Sequence, residues 1–81
     1  MRILKFESPT CGPCRKMDSI LEKLGITVEH INALENVPLC KEYEISTLPT
    51  LIKIKDNGKV EKLAGMQTPT KIEYFCTGAY K

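Results

Sequence analysis

The sequence predicts an α/β fold in one domain, residues 1–81, with a mixed four-stranded sheet and helices on both faces. Two strand-to-helix crossings in its first half imply parallel neighbouring strands, because parallel strands need a crossover connection. A turn at Asp56-Asn57-Gly58, whose residues suit positive φ, implies a later antiparallel hairpin. The predicted order of elements is β-α-β-α-β-β-α.

The first strand and helix meet at Cys11-Gly12-Pro13-Cys14. Residues 1–7 form a short apolar run that is typical of a strand. After the CxxC, apolar residues recur with the helical period, which predicts an amphipathic helix that Gly25 can end. The residues of this stripe are Met17, Ile20, Leu21 and Leu24.

The rest of the chain supplies the other five elements. Alternation over residues 26–31 predicts a second strand, and residues 34–43 a shorter helix. Residues 50–55 and 59–63 are predicted to form the hairpin. Thr68 as N-cap and Pro69 at the first helical position open the last helix. Its apolar stripe consists of Ile72, Phe75, Cys76 and Ala79.

Composition excludes several classes of function. The 81 residues are 42% hydrophobic and carry a net charge of +2 with both signs interspersed. We therefore expect neither a nucleic-acid partner nor a membrane, since no apolar run approaches the ~20 residues of a membrane span. With no export signal, we expect a soluble, cytoplasmic monomer. In such a reducing compartment a CxxC pair is more often catalytic or metal-binding than structural.

The spacing Cys11-Gly12-Pro13-Cys14 indicates a redox site. We expect Cys11 at or beside the helix N-cap, where free backbone N–H groups and the helix dipole favour a thiolate. Cys14 would lie one turn into the helix on the same side, and Pro13 suits the first turn. A chance CxxC pair and half of a zinc site are the alternative interpretations.

Three segments together resemble the thioredoxin-like superfamily. They are Cys11-Gly12-Pro13-Cys14, then Thr47-Leu48-Pro49-Thr50 before the hairpin, then Gly65 after it. The chain resembles the compact, glutaredoxin-sized members, without the leading strand and helix of full-length thioredoxins.

The resemblance implies a role for each matching residue. Cys11 would be the attacking thiolate, Cys14 the resolving thiol and Pro49 a cis-proline facing the dithiol. The alternative for Pro49 is an ordinary turn proline before an edge strand. The backbone of Leu48 would bind an extended substrate segment. The remaining residues that the resemblance places on the substrate surface are Thr10, Gly12, Pro13 and Gly65.

The implied activity is thiol–disulfide exchange on protein disulfides. No bound cofactor is expected beyond the redox-active Cys11–Cys14 disulfide, and the electron donor would be a thioredoxin reductase or a glutathione system. Relatives with glutathione sites usually carry a Gly-Gly pair and an acid where this chain has Ala64-Gly65-Met66-Gln67, which favours the thioredoxin-like reaction. The alternatives are a glutaredoxin-like, glutathione-dependent reductase and a non-catalytic binding subunit.

Three positions depart from the family pattern. Thr10 replaces the tryptophan before the first cysteine, which reduces the apolar contact surface. Lys5 stands where the family has a buried acid, and His30 where it has a lysine. Lys5 could tune the thiolate, or it could reach the surface or pair with Glu7 or Glu29. His30 could act as a base near neutral pH, or it could simply pack and form a hydrogen bond.

The other two cysteines are predicted to be structural. Cys40 and Cys76 share helical faces with apolar residues, so we expect small buried side chains. The alternative joins them with the CxxC pair in a four-thiolate zinc site.

Overall fold

The computed structural model describes residues 1–78, and its element order matches the predicted one. The strands are β1 (Arg2–Glu7), β2 (Glu29–Asn32), β3 (Thr50–Ile54) and β4 (Val60–Ala64), and the helices are α1 (Gly12–Leu24), α2 (Val37–Glu42) and α3 (Pro69–Thr77). Ala79, expected on the apolar stripe of α3, lies outside the described residues.

The four strands form one mixed sheet in the order β2-β1-β3-β4. β1 pairs in parallel with β2 and antiparallel with β3, and β3 pairs antiparallel with β4. At one end of the sheet, the last residues of β1 therefore lie beside the first residues of β3 and the last residues of β4. Three segments meet at that end of the sheet: the CxxC segment, the Leu48-Pro49 segment and Gly65.

Helices cover both faces of the sheet, as predicted. On one face, α1 and α3 pack on the alternate residues Ile3 and Leu51, with Met17 and Ile72 at the centre of the cluster. On the other face, α2 packs on a second cluster formed by Leu4, Phe6 and Ile52. Among residues 1–78, no helix has the length and apolar character needed to cross a bilayer.

Several predicted boundaries are wrong. β2 begins at Glu29 rather than at residue 26. β3 ends one residue earlier than predicted, and β4 both begins and ends one residue later. The predicted helix 34–43 is a 3-10 turn, Ala33–Glu35, followed by α2. Asn36 between them is not helical (φ −133°, ψ 47°), and Pro38 has no N–H to continue the first turn into the second.

Candidate active site

The dithiol lies where β1 gives way to α1. Cys11 is the N-cap of α1 in an extended conformation (φ −88°, ψ 105°), and its Sγ accepts a hydrogen bond from the backbone N–H of Cys14 at 3.1 Å. Pro13 occupies the first turn, and Gly25 ends the helix in the left-handed conformation. The predicted position of Cys11 at the helix N-cap is confirmed.

Cys11 and Cys14 form a disulfide, with Cα atoms 5.2 Å apart. Cys11 is half-buried and Cys14 is only 2% exposed. Thr10, Gly12 and Pro13 are exposed around Cys11. An incoming disulfide would therefore meet the sulfur of Cys11, since Cys14 is covered.

The Leu48–Pro49 peptide bond is cis, as the resemblance implies. Pro49 is buried, Leu48 is half-buried, and the hydroxyl of Thr50 donates to the carbonyl of Thr47 at 2.5 Å. Gly65 has a φ of +75°, and a Cβ atom there would lie 3.6 Å from Thr47 Cγ2. The structure thus brings Gly65 against the segment that ends in Pro49.

Lys5 is completely buried on the face of the sheet that α1 covers. Its Nζ forms ion pairs with the Glu7 carboxylate and with Asp18 Oδ1, the latter at 2.8 Å. The expectation that Lys5 reaches the surface is wrong, because two carboxylates neutralise the ammonium inside. Pairing with Glu7 is confirmed, whereas Glu29 pairs with Arg2 at 2.8 Å.

His30 joins the same cluster from β2. Its Nδ1 lies 2.9 Å from Glu7 Oε1, while more than half of its side chain is exposed. It therefore forms the expected hydrogen bond at the surface rather than in a packed interior. Burial by itself would raise the pKa of Glu7, but hydrogen bonds from His30 and Lys5 bring that pKa below its ordinary value.

Ligand atoms of Glu7, Asp18 and His30 lie within 4.8 Å of one another, close enough to hold a metal ion. The ammonium of Lys5 is paired with both carboxylates and already supplies positive charge there. We therefore assign this cluster as an ion-pair network.

Asp18 is the member of this network that sequence reasoning missed. A carboxylate four residues after Cys14 lies on the same helical face as that cysteine, at the margin of the apolar stripe. That spacing was the available signal. The contact between Asp18 and the buried Lys5 depends on tertiary packing, so no sequence pattern indicated it.

Cys40 and Cys76 lie on opposite faces of the sheet. Cys76 belongs to the cluster under α1 and α3, and burial raises the pKa of its thiol to about 11. Cys40 packs against the cluster under α2 but is only half-buried, and its Sγ donates to the Ala33 carbonyl at 3.7 Å. The expectation of full burial is wrong for Cys40, and within the described residues the four sulfurs do not form one metal site.

Comparisons with known proteins agree with this geometry. A family model described as Thioredoxin matches residues 1–77. The thioredoxin of Chlamydia pneumoniae is 37% identical over 70 residues, which cover 80% of this chain and 69% of that protein. Mouse mitochondrial thioredoxin is 28% identical over 79 residues, or 90% of this chain, and the match spans only 48% of its length.

Solved structures give the same result. Oxidised mitochondrial thioredoxin 3 from Saccharomyces cerevisiae superposes with a TM-score of 0.81 at 28% identity, covering 95% of this chain and 76% of that one. A thioredoxin from Halobacterium salinarum also superposes with a TM-score of 0.81, at 25% identity. The match covers 98% of this chain and 74% of that protein.

Proposed function

The chain belongs to the thioredoxin family and is a thiol–disulfide oxidoreductase that reduces protein disulfides, and on this premise we propose the role of each cysteine. Cys11 is the nucleophile, and Cys14 resolves the mixed disulfide that Cys11 forms. The observation that carries this assignment is the asymmetry of the pair. Cys11 caps the N-terminus of α1 and is partly open, while Cys14 is buried one turn later.

Reduction proceeds in two exchanges. The thiolate of Cys11 attacks one sulfur of the substrate disulfide, and the other sulfur leaves as a thiolate. Cys14 then attacks Cys11 Sγ, which releases the second substrate sulfur and leaves the Cys11–Cys14 disulfide. Two electrons pass to the substrate, and the protein must be reduced again before the next turnover.

The helix N-terminus accounts for only part of the reactivity. If it lowers the pKa of an attacking thiol from about 8.5 to about 7, the thiolate fraction at neutral pH rises roughly sixteenfold. Intrinsic nucleophilicity falls about fivefold at the same time, which leaves a three- to fourfold gain. Alignment of the substrate against the Leu48–Pro49 segment must supply much of the rest.

For the electron donor, we propose a thioredoxin reductase rather than glutathione. The segment Ala64-Gly65-Met66-Gln67 lacks the Gly-Gly pair and the acid expected at a glutathione site. Bacterial and mitochondrial thioredoxins are both among the relatives. A reducing compartment such as the cytoplasm suits this reaction.

A turnover assay tests the donor directly. Insulin reduction by the full chain is followed with NADPH plus thioredoxin reductase in one arm and with glutathione plus glutathione reductase in the other. We expect turnover in the first arm and only background in the second. The reverse pattern would make the protein glutaredoxin-like. If the protein did not accelerate insulin reduction by dithiothreitol above the rate without protein, a binding subunit would be favoured.

A further inference from the structure

Resolution by Cys14 requires its thiol to lose a proton in a place that water hardly reaches. A thiol must become a thiolate before it attacks the mixed disulfide. Cys14 is 2% exposed. A fixed proton acceptor close to Cys14 would therefore accelerate this step.

α1 itself places one carboxylate, Asp18, beside Cys14. The two residues are four apart in the helix, so their Cβ atoms lie about 5–6 Å from each other. Side chains in a helix lean toward its N-terminus, which turns Asp18 toward the turn that carries Cys14.

The carboxylate of Asp18 has one buried oxygen and an open side. Oδ1 is buried, and no donor among the described residues forms a well-aligned hydrogen bond with it, although Lys5 Nζ lies 2.8 Å away. The side chain as a whole is 43% exposed and lines a cavity of about 520 Å³ together with His30 and Glu22. A proton taken up inside can thus be passed to solvent.

We propose that Asp18 accepts the proton of Cys14 during resolution and that Lys5 positions the Asp18 carboxylate. This inference rests on the proposed function above. The S–H bond of Cys14 breaks and its proton moves to Asp18, directly or through one water. The electron pair left on Cys14 Sγ forms the bond to Cys11 Sγ, and the substrate sulfur leaves with the electrons of the broken bond. Asp18 then gives the proton to water.

The other charged groups facing Asp18 come from two strands and from α1. Lys5 and Glu7 project from β1, His30 from β2, and Glu22 lies one turn further along α1. Lys5 bridges Asp18 and Glu7, and Glu7 is bound in turn by His30. Lys5 thereby holds the Asp18 carboxylate against the sheet.

The two exchanges can be timed separately with DTNB, an aromatic disulfide that releases one coloured thiolate in each step. Reduced full-length protein is mixed with DTNB in a stopped-flow instrument over a range of pH. For Asp18→Asn we expect a first phase within about twofold of wild type and a second phase slowed at least about tenfold at neutral pH and below. The conservative variant Asp18→Glu should recover most of the second phase.

The matched control is Glu42→Gln, which removes the same charge from an exposed position on α2, on the opposite face of the sheet, and should leave both phases unchanged. An unchanged second phase in Asp18→Asn would overturn the inference, and so would an equal slowing of both phases. If the unsubstituted protein shows no first phase, it is the proposed role of Cys11 that fails.

Folding of Asp18→Asn is checked by circular dichroism, because the variant leaves Lys5 with one partner fewer. Should it fail to fold, Lys5→Met is compared with the double variant Lys5→Met and Asp18→Asn, since removing both members of a buried pair is better tolerated than removing one. Lys5→Met should slow the second phase in part, because Asp18 loses the cation that positions it, and the double variant should slow that phase further. Equal second phases in these two proteins would contradict the proposal.

Discussion

α1 and α3 cover the same face of the sheet, and each helix packs over a region that contains one buried lysine and one buried cysteine. Against α1, Lys5 is paired with two side-chain carboxylates and Cys14 lies in the first turn of the helix. Against α3, Lys53 donates to the Phe75 carbonyl at 2.6 Å, pairs with Glu61 at 3.0 Å and lies 5.2 Å from the centre of the Phe75 ring. Cys76 is the cysteine of this second region.

The two cysteines differ because the ends of their helices differ. Cys14 lies near the N-terminus of α1 and is bonded to Cys11, which a substrate can reach. Cys76 lies in the last turn of α3, where the helix dipole disfavours a thiolate, and burial raises its pKa to about 11. A buried cation beside a buried thiol is therefore not enough for redox chemistry.

The largest expected difference between the regions is in activity. Cys11→Ser should reduce insulin reduction to background, because an alcohol is not ionised at neutral pH and is a far weaker nucleophile. Cys76→Ala, and likewise Cys40→Ala, should keep turnover within about threefold and lower the free energy of unfolding by roughly 1 kcal/mol each. Loss of most turnover in either alanine variant would mean that the second region takes part in the reaction.

The two lysines should separate electrostatic tuning from packing. Lys5→Ala leaves two carboxylates without their cation, so we expect a loss of about 3 kcal/mol in unfolding free energy. The same change should move the midpoint of the Cys11 alkylation rate against pH upward by roughly 0.5–1 unit. Lys53→Ala should also destabilise, by about 2 kcal/mol through lost packing, but leave that midpoint in place.

The same two variants can also contradict the expected difference between Lys5 and Lys53. An upward midpoint shift in Lys53→Ala as large as that in Lys5→Ala would show that the two buried cations act alike on the dithiol. A downward shift in Lys5→Ala would mean that the charge near the dithiol has been assigned with the wrong sign.

The smallest expected effect is confined to alkaline pH. Folded Cys76 keeps its proton up to about pH 11, whereas a thiol in the unfolded chain loses it near pH 8.5–9. The folded state then binds more protons over this range, so stability falls as pH rises, by roughly 1.5 kcal/mol between pH 7 and pH 10. Urea unfolding at pH 7 and pH 10 should show a smaller alkaline loss in Cys76→Ala than in wild type. If the two proteins lost the same unfolding free energy between pH 7 and pH 10, the Cys76 thiol would be more exposed to solvent than it is in the structure.

Much of the fold could be predicted because its signals are local. The helical stripe after Cys14, the N-cap at Thr68 and the Asn57-Gly58 turn each depend on neighbouring residues, and each is confirmed. The 3-10 turn before α2 was missed because the apolar spacing around Pro38 looks helical, while the missing N–H of that proline decides otherwise.

The candidate site was predictable only in part. The cap position of Cys11 came from the motif, and the cis bond at Pro49 from the family resemblance alone. A buried position for Lys5 was indicated only by the family resemblance. Its pairing with Asp18 could not be predicted, because tertiary packing brings that carboxylate, 13 residues away, to 2.8 Å.

Trapping of the mixed disulfide tests the central claim most directly. Cys14→Ser removes the resolving thiol, so its Cys11 should stay bonded to a substrate sulfur after reaction with insulin. Mass spectrometry of the non-reduced mixture should show this covalent adduct at Cys11, and no adduct should form with Cys11→Ser. A stable adduct at Cys14 in the Cys11→Ser protein, or equal residual turnover in the two variants, would contradict the assignment of nucleophile and resolving thiol.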